Sequence, residues 1–152
     1  MVQPRIDQTV VVDVPATTAN IGPGFDCLGA ALDLNNRFTM RRIEGDGERF
    51  ELIIEGQEGS HLRGGPDNLV YRAAQRVWKA AGEEPVALEA RVRLAVPPAR
   101  GLGSSATAIV AGLVGANALV ESPSAVKNCL SWPLISKDIP TTWCRRFSAG
   151  SA

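Results

Sequence analysis

Two short stretches carry most of the chemistry in this sequence. The first is Pro97-Pro98-Ala99-Arg100-Gly101-Leu102-Gly103-Ser104-Ser105-Ala106-Thr107. Two glycines let a backbone turn tightly and approach a ligand, leaving successive N–H groups aimed at one spot. An apolar run follows directly, and a helix starting there adds its unpaired N–H groups and positive dipole end to the same spot. The guest such a turn suits is a polyphosphate. Ser104 and Ser105 can give hydroxyl bonds to phosphate oxygens, and one of them can ligate a magnesium ion that bridges the phosphates. Two plainer roles compete: serine as a helix cap, and glycine as a simple strand-to-helix turn. Ala106 stands where a dinucleotide fingerprint needs its third glycine, and no lysine follows as in a Walker loop, so both of those readings lose ground.

The second stretch is Pro15-Ala16-Thr17-Thr18-Ala19-Asn20-Ile21-Gly22-Pro23-Gly24-Phe25-Asp26, continuing Cys27-Leu28-Gly29-Ala30-Ala31-Leu32-Asp33. Asn20 offers donors and acceptors and Asp26 a carboxylate, at the two ends of a stiff Gly-Pro-Gly turn able to hold both around one small polar molecule. A carboxylate there suits a substrate ammonium. Recognition ranks above a general-base role for Asp26, because nothing in the sequence implies the raised pKa a base needs at neutral pH. The competing reading is an Asx-type turn in which both side chains satisfy nearby backbone.

The elements that must position these stretches are legible in part. Thr9–Val14 is β-branched and ends at a proline, and Phe50–Glu55 is a short apolar alternation, so both are expected as strands. Asp67 or Asn68 can cap a helix whose apolar positions are Val70, Ala73, Ala74 and Val77. Ala87–Val96 alternates Leu88, Ala90, Val92, Leu94 and Val96 against Glu89, Arg91 and Arg93, which predicts a strand buried on one face and leading into the glycine-rich turn. Ala106–Leu119 is an almost unbroken apolar run, expected as a helix packed on all sides, with Gly112 and Gly115 permitting close approach. Arg41 and Arg42 precede the acidic Glu44–Glu51 region, expected as an exposed hairpin face of mixed charge.

Composition limits the function classes. A chain of 152 residues, 45% hydrophobic, can enclose one ordinary core. Sixteen basic residues balance sixteen acidic ones, so no long-range field favours nucleic acid or an anionic membrane, and neither is expected as a partner. No apolar run spans a bilayer and no secretory leader precedes Val14, so the chain reads as soluble and cytoplasmic. Cys27, Cys129 and Cys144 are too few and scattered for a disulfide scaffold or a zinc site. His61 reads as a solvated loop residue, and Arg100 as solvated beside the turn.

Taken together, the two stretches resemble the GHMP kinase superfamily, in wording closest to its homoserine kinase branch, over roughly Val10 to Leu119. The resemblance implies an α+β fold: the GHMP-kinase N-terminal domain, a ribosomal-protein-like two-layer α/β unit with a left-handed crossover, the C-terminal domain being absent. It implies ATP with Mg2+ as phosphoryl donor and L-homoserine as the small-molecule acceptor, giving O-phospho-L-homoserine on the route to threonine. Asn20 and Asp26 would hold homoserine; Pro97, Pro98, Ala99, Arg100, Gly101, Leu102, Gly103, Ser104, Ser105, Ala106 and Thr107 would wrap the triphosphate; Ser105 would sit near magnesium; and Asn68, with Leu69 and Val70, would contact the nucleoside. No catalytic base is assigned. A homodimer is the assembly implied for a full-length member. Other branches carry a lysine near Thr17, and its absence favours homoserine over mevalonate-type or galactose-type acceptors.

Two family features are missing: a Glu-Gly-His-Pro-Asp-Asn stretch that helps hold magnesium, and the C-terminal domain that closes the site, the chain stopping at Ala152. The tail from about Glu121 crowds Trp132, Trp143, Cys129 and Cys144 with no helical or strand period. Reading from the third base of each codon, Ser136-Lys137-Asp138-Ile139-Pro140-Thr141 permits Glu-Gly-His-Pro-Asp-Asn. The expectation is an N-terminal ATP-binding domain over 1–120 and an out-of-frame, disordered tail over 121–152. An inactive remnant that binds nucleotide at most, or another GHMP small-molecule kinase, is the alternative; a divergent but genuine interaction tail using Trp143, Arg145 and Arg146 is the rival account of 121–152.

Overall fold

A computed structural model of the chain describes residues 8–19, 21–22, 28–55 and 64–120. Asn20, Asp26, Cys27, His61 and the tail from Glu121 lie outside them. Among the described residues the order is β1 (Thr9–Thr18), β2 (Ala30–Arg42), β3 (Phe50–Glu55), α1 (Leu69–Ala81), β4 (Leu88–Arg93) and α2 (Ser104–Leu119). The strands form one sheet in the order β1-β2-β4-β3. β1 pairs antiparallel with β2, and β2 antiparallel with β4, while β3 runs parallel to β4. A parallel neighbour requires a crossover, and α1 supplies it between β3 and β4. The result is a two-layer α+β unit, as expected.

Alternation explains which face is inside. Val12, Val14 and Ala16 of β1, Phe38 and Met40 of β2, and Leu88, Ala90 and Val92 of β4 are buried. From α1, Val70, Tyr71, Ala74, Val77 and Trp78 pack onto them. Phe50 stacks on Tyr71 at 5.1 Å between ring centroids, and Trp78 meets Tyr71 edge-on at 5.9 Å. Each of these large side chains contributes roughly 1.5–3 kcal/mol by leaving water. The Tyr71 hydroxyl donates to the Gly47 carbonyl and reaches Val86 O at 3.3 Å, tying the link between β2 and β3 to the core. Burial pushes the Tyr71 phenol up from its ordinary pKa.

The opposite face is a charged lattice. The register aligns Asp13 with Arg37, and Arg37 with Arg93; two rows along the same face, Arg41 stands between Thr9 and Glu89. Arg37 grips Asp13 with two bonds of 2.7 and 2.9 Å, and Arg41 grips Glu89 with two of 2.9 and 2.8 Å. Glu89 also accepts from Arg91 at 3.1 Å. The Arg41 hydrogen bonds, with those of Arg91, hold the Glu89 carboxyl below the usual carboxylate range against the opposing effect of burial. Opposite charges on facing strands are the favourable arrangement.

Several expectations are corrected. β1 runs past Pro15 to Thr18, with a register shift between Pro15 and Thr17. It is an edge strand, where the missing proline N–H breaks no ladder. β2, thirteen residues long, was not foreseen, because Asp33, Asn35, Asn36 and Arg37 obscure its alternation. The Glu44–Glu51 region is no hairpin: β4 lies between β2 and β3. Arg42 is buried, and donates to Leu119 O at the end of α2 and to Glu83 at 3.4 Å. β4 stops at Arg93, short of Val96, and Glu89 is buried instead of exposed. Among the described residues no helix is long and apolar enough to cross a membrane.

Candidate functional site

The glycine-rich turn joins β4 to α2, as its sequence context predicts. Gly101 and Gly103 both take φ of 72°, and Ala99 takes 57°. That left-handed region costs an L side chain roughly 1–2 kcal/mol, so the two glycines are needed for their backbone freedom. Gly103 is also needed for space, because a Cβ there would stand 2.8 Å from Thr17 Oγ1. The neighbour is informative: Thr17 belongs to the second stretch, near the end of β1. Its N–H donates to Leu102 O at 3.1 Å. The two stretches singled out from sequence therefore meet, one seated directly on the other.

Helix α2 begins at Ser104, two residues earlier than expected, with Gly103 as its N-cap and no side chain capping it. Ser104 and Ser105 occupy the first two helical positions, so the serine-cap reading does not hold here. Ser105 is exposed and Ser104 partly so. The first N–H groups of a helix have no intrahelical carbonyl, and without a side-chain cap they are left to solvent or a ligand. Their shared dipole favours an anion. Arg100 is exposed at the tip of the turn, and Pro97 and Pro98 are half-buried at its entrance.

Thr107 is placed differently from the rest of the stretch. It is fully buried, and its hydroxyl donates to Ser104 O at 2.7 Å while accepting from Asn36 Nδ2 at 2.8 Å. Its hydroxyl is thus committed inside the protein. Asn36 is the residue that sequence reasoning missed. The available signal was an amide in the middle of a strand, a position where asparagine is depleted.

Asn68 caps α1: its Oδ1 accepts from Val70 N at 2.9 Å. The first turn of α1 lies against α2 at Gly112, where a Cβ would come within 2.3 Å of Val70 O. Gly112 is eight residues along α2 from Ser104, roughly 12 Å at about 1.5 Å per residue. The start of α1 that follows Asn68 and the glycine-rich turn thus lie at different heights along α2. Gly115 makes the matching approach to the sheet, its missing Cβ leaving room for Met40 Sδ. Both glycines of α2 permit close packing, as expected, but the helix is not covered all round: Val114 is 41% exposed.

The connection between β1 and β2 carries Asn20 and Asp26. It is closed by the pairs Thr17 with Ala31 and Thr18 with Ala30, so its two stems lie one strand spacing apart. Gly22 within it takes φ of 45°. Among the described residues no group of three or more His, Cys, Asp or Glu side chains could hold a metal ion.

Residues 68–131 match the family model of the GHMP kinases N-terminal domain. The chain is 94% identical over 123 residues to a homoserine kinase of Synechococcus sp., covering 81% of this chain and 39% of that protein. It is 81% identical over 130 residues to a homoserine kinase of Prochlorococcus marinus, covering 86% of this chain and 41% of that one. Among solved structures, the homoserine kinase of Cytophaga hutchinsonii matches with a TM-score of 0.69 at 30% identity, over 86% of this chain and 41% of that chain. The mevalonate kinase of Methanococcus jannaschii matches with a TM-score of 0.56 at 13% identity, over 74% of this chain and 40% of that one, a likeness of fold alone. The chain spans 39% to 41% of the length of these curated relatives. Over residues 68–131 the chain is similar to the GHMP kinases N-terminal domain, and over most of its length it is similar to the front part of homoserine kinases.

Proposed function

We propose that this chain is the nucleotide-binding portion of a kinase that transfers the γ-phosphoryl group of ATP to the hydroxyl of L-homoserine, giving O-phospho-L-homoserine. The observation that carries this reading is the uncapped start of α2 behind two left-handed glycines, seated on the strand that leads into the Asn20–Asp26 connection. High identity to proteins named homoserine kinase supports the acceptor. In this reading the turn from Pro97 to Ala106 wraps the triphosphate, and the free N–H groups of α2 take the phosphate charge. Asn68, about two turns of α2 away, lies on the nucleoside side. Asn20 and Asp26 hold homoserine, Asp26 by its ammonium. Phosphoryl transfer asks the protein mainly to align donor and acceptor and to neutralise charge. A magnesium ion bound to the phosphates would neutralise charge on the transferred group, and the hydroxyl of the exposed Ser105 would be this chain's ligand for it.

A second reading is favoured by two observations: the chain spans 39% of its relative, and α2 leaves Val114 exposed. In that reading this portion binds nucleotide without turnover, the remaining groups lying in the rest of the kinase. One assay separates the two. Purified chain is mixed with L-homoserine and Mg-ATP, product is followed by mass spectrometry, and ATP binding by calorimetry. Phosphohomoserine that disappears with Asp26→Asn establishes the kinase. Binding without product establishes the second reading, and loss of both rejects the nucleotide site.

The division of the chain belongs to the same proposal: an N-terminal ATP-binding unit over 1–120, then a tail read out of frame. The family match runs on to residue 131. The change of frame is placed near Val120 or Glu121. Resequencing the coding DNA from codon 115 tests it; an unbroken frame with no family-like sequence downstream would reject it.

A further inference from the structure

Asn36 lies in β2, away from both stretches in sequence, and is completely buried. Its Oδ1 accepts from Ala95 N at 2.9 Å and Val96 N at 2.8 Å, and its Nδ2 donates to Thr107 Oγ1 at 2.8 Å. The amide orientation is fixed by its partners, since two backbone N–H groups can only face an oxygen. Thr107 in turn donates to Ser104 O at 2.7 Å. Ala95 and Val96 are the last residues before the turn, and Ser104 is the first residue of α2. One side chain therefore grips both stems of the glycine-rich turn from a neighbouring strand.

We propose that Asn36 is a positioning residue for the phosphate-binding turn, setting the direction in which the N–H groups at the start of α2 point. It touches no ligand itself. The inference rests on the nucleotide reading of that turn. Its physical basis is the cost of what is buried. An amide without partners inside a protein is unfavourable by a few kcal/mol, and leucine in its place would leave the Ala95 and Val96 N–H groups without the acceptor they now have. What the amide adds over leucine is direction: three hydrogen bonds with narrow geometry, tying two stems that the sheet ladder has already released after Arg93. Displacement of a ligand-binding group by about 1 Å is enough to weaken function strongly.

The test compares Asn36→Leu and Thr107→Val with Thr107→Ser, which keeps the hydroxyl, and with Val77→Ala, a core cavity in α1 remote from the turn. Calorimetry with Mg-ATP gives the affinity, and amide hydrogen exchange gives local protection at 95–107 and at 70–81. The expected result is ATP binding weakened about tenfold or more in Asn36→Leu and Thr107→Val, with faster exchange confined to 95–107. Thr107→Ser should bind as the unaltered chain does. Val77→Ala should lose stability without losing affinity. Binding by both Asn36→Leu and Thr107→Val within twofold of the unaltered chain would overturn the positioning role while leaving the nucleotide site standing. Exchange that rises equally at 70–81 would likewise reduce Asn36 to a packing residue. An unaltered chain that binds no ATP would overturn the nucleotide reading, and with it this role. Should Asn36→Leu fail to fold, Thr107→Val alone decides, because it removes one hydroxyl and keeps the shape.

Discussion

The two helices of this unit have opposite characters. α1 is amphipathic and closed at both ends: Asn68 caps its start, and Gly82, at φ 74°, ends it with its N–H turned back to the last-turn carbonyls of Lys79 and Trp78. Its polar residues face water and its apolar ones the sheet. α2 is apolar on nearly every side, has no side-chain cap, and leaves Val114 uncovered. A helix capped at both ends is a finished piece of scaffold. One whose first N–H groups are left open behind left-handed glycines is shaped for something that arrives later. The difference separates structure from function within a single pair of packed helices.

The largest effect should come from forcing the pair apart. Gly112→Val places a branched side chain against Val70 O, where even a Cβ would come within 2.3 Å. A stability loss of about 3 kcal/mol or more is expected, read as a lowered urea midpoint. A loss under about 1 kcal/mol would mean that the helices can slide, and that their contact is looser than it looks.

Gly103→Ala should cost about 1–2 kcal/mol of stability, but lower ATP affinity by a larger factor than that loss explains. It meets both the left-handed φ and Thr17 Oγ1. Gly82→Ala carries a similar backbone strain at the end of α1, with nothing within 4 Å of the new Cβ. It should lose stability alone. Equal affinities for the two variants would dissolve the contrast between the helix ends.

Asn68→Ala should cost about 1 kcal/mol through loss of the cap, and Asn68→Ser should restore most of it. If ATP affinity stays low in the serine variant, Asn68 contacts the nucleoside as well as capping. If affinity returns with stability, capping is its whole role. The smallest effect belongs to Val114→Glu, which should change stability by no more than about 0.5 kcal/mol. It should reduce self-association in sedimentation experiments, since it breaks an exposed apolar face.

Sequence reading succeeded where a local rule had a single outcome. Asp67 or Asn68 before an apolar 3.6-residue period led to a capped helix, with Asn68 the cap, and Phe50–Glu55 to a strand, each found where expected. The glycine-rich turn between a strand and a helix was legible because φ near +70° is a demand on one residue at a time. Reading failed where the partner was remote. The alternation of Ala87–Val96 promised a strand to Val96, but the ladder with β2 ends at Arg93 because Asn36 takes over the N–H groups of Ala95 and Val96. Glu89 looked solvent-facing, and only Arg41 and Arg91 on that sheet face make its burial tolerable.

By itself the sequence determined the local pieces: a glycine-rich turn between a strand and a helix, a capped amphipathic helix, and the short strands whose periodicity is local. Only the tertiary structure decided that β4 lies between β2 and β3, that Thr17 seats Gly103, and that Asn36 holds both stems of the turn. The physical reason is range. Backbone freedom, capping and periodicity are properties of neighbours in sequence, whereas strand order and buried hydrogen bonds depend on residues brought together from far along the chain, whose pairing no local pattern encodes.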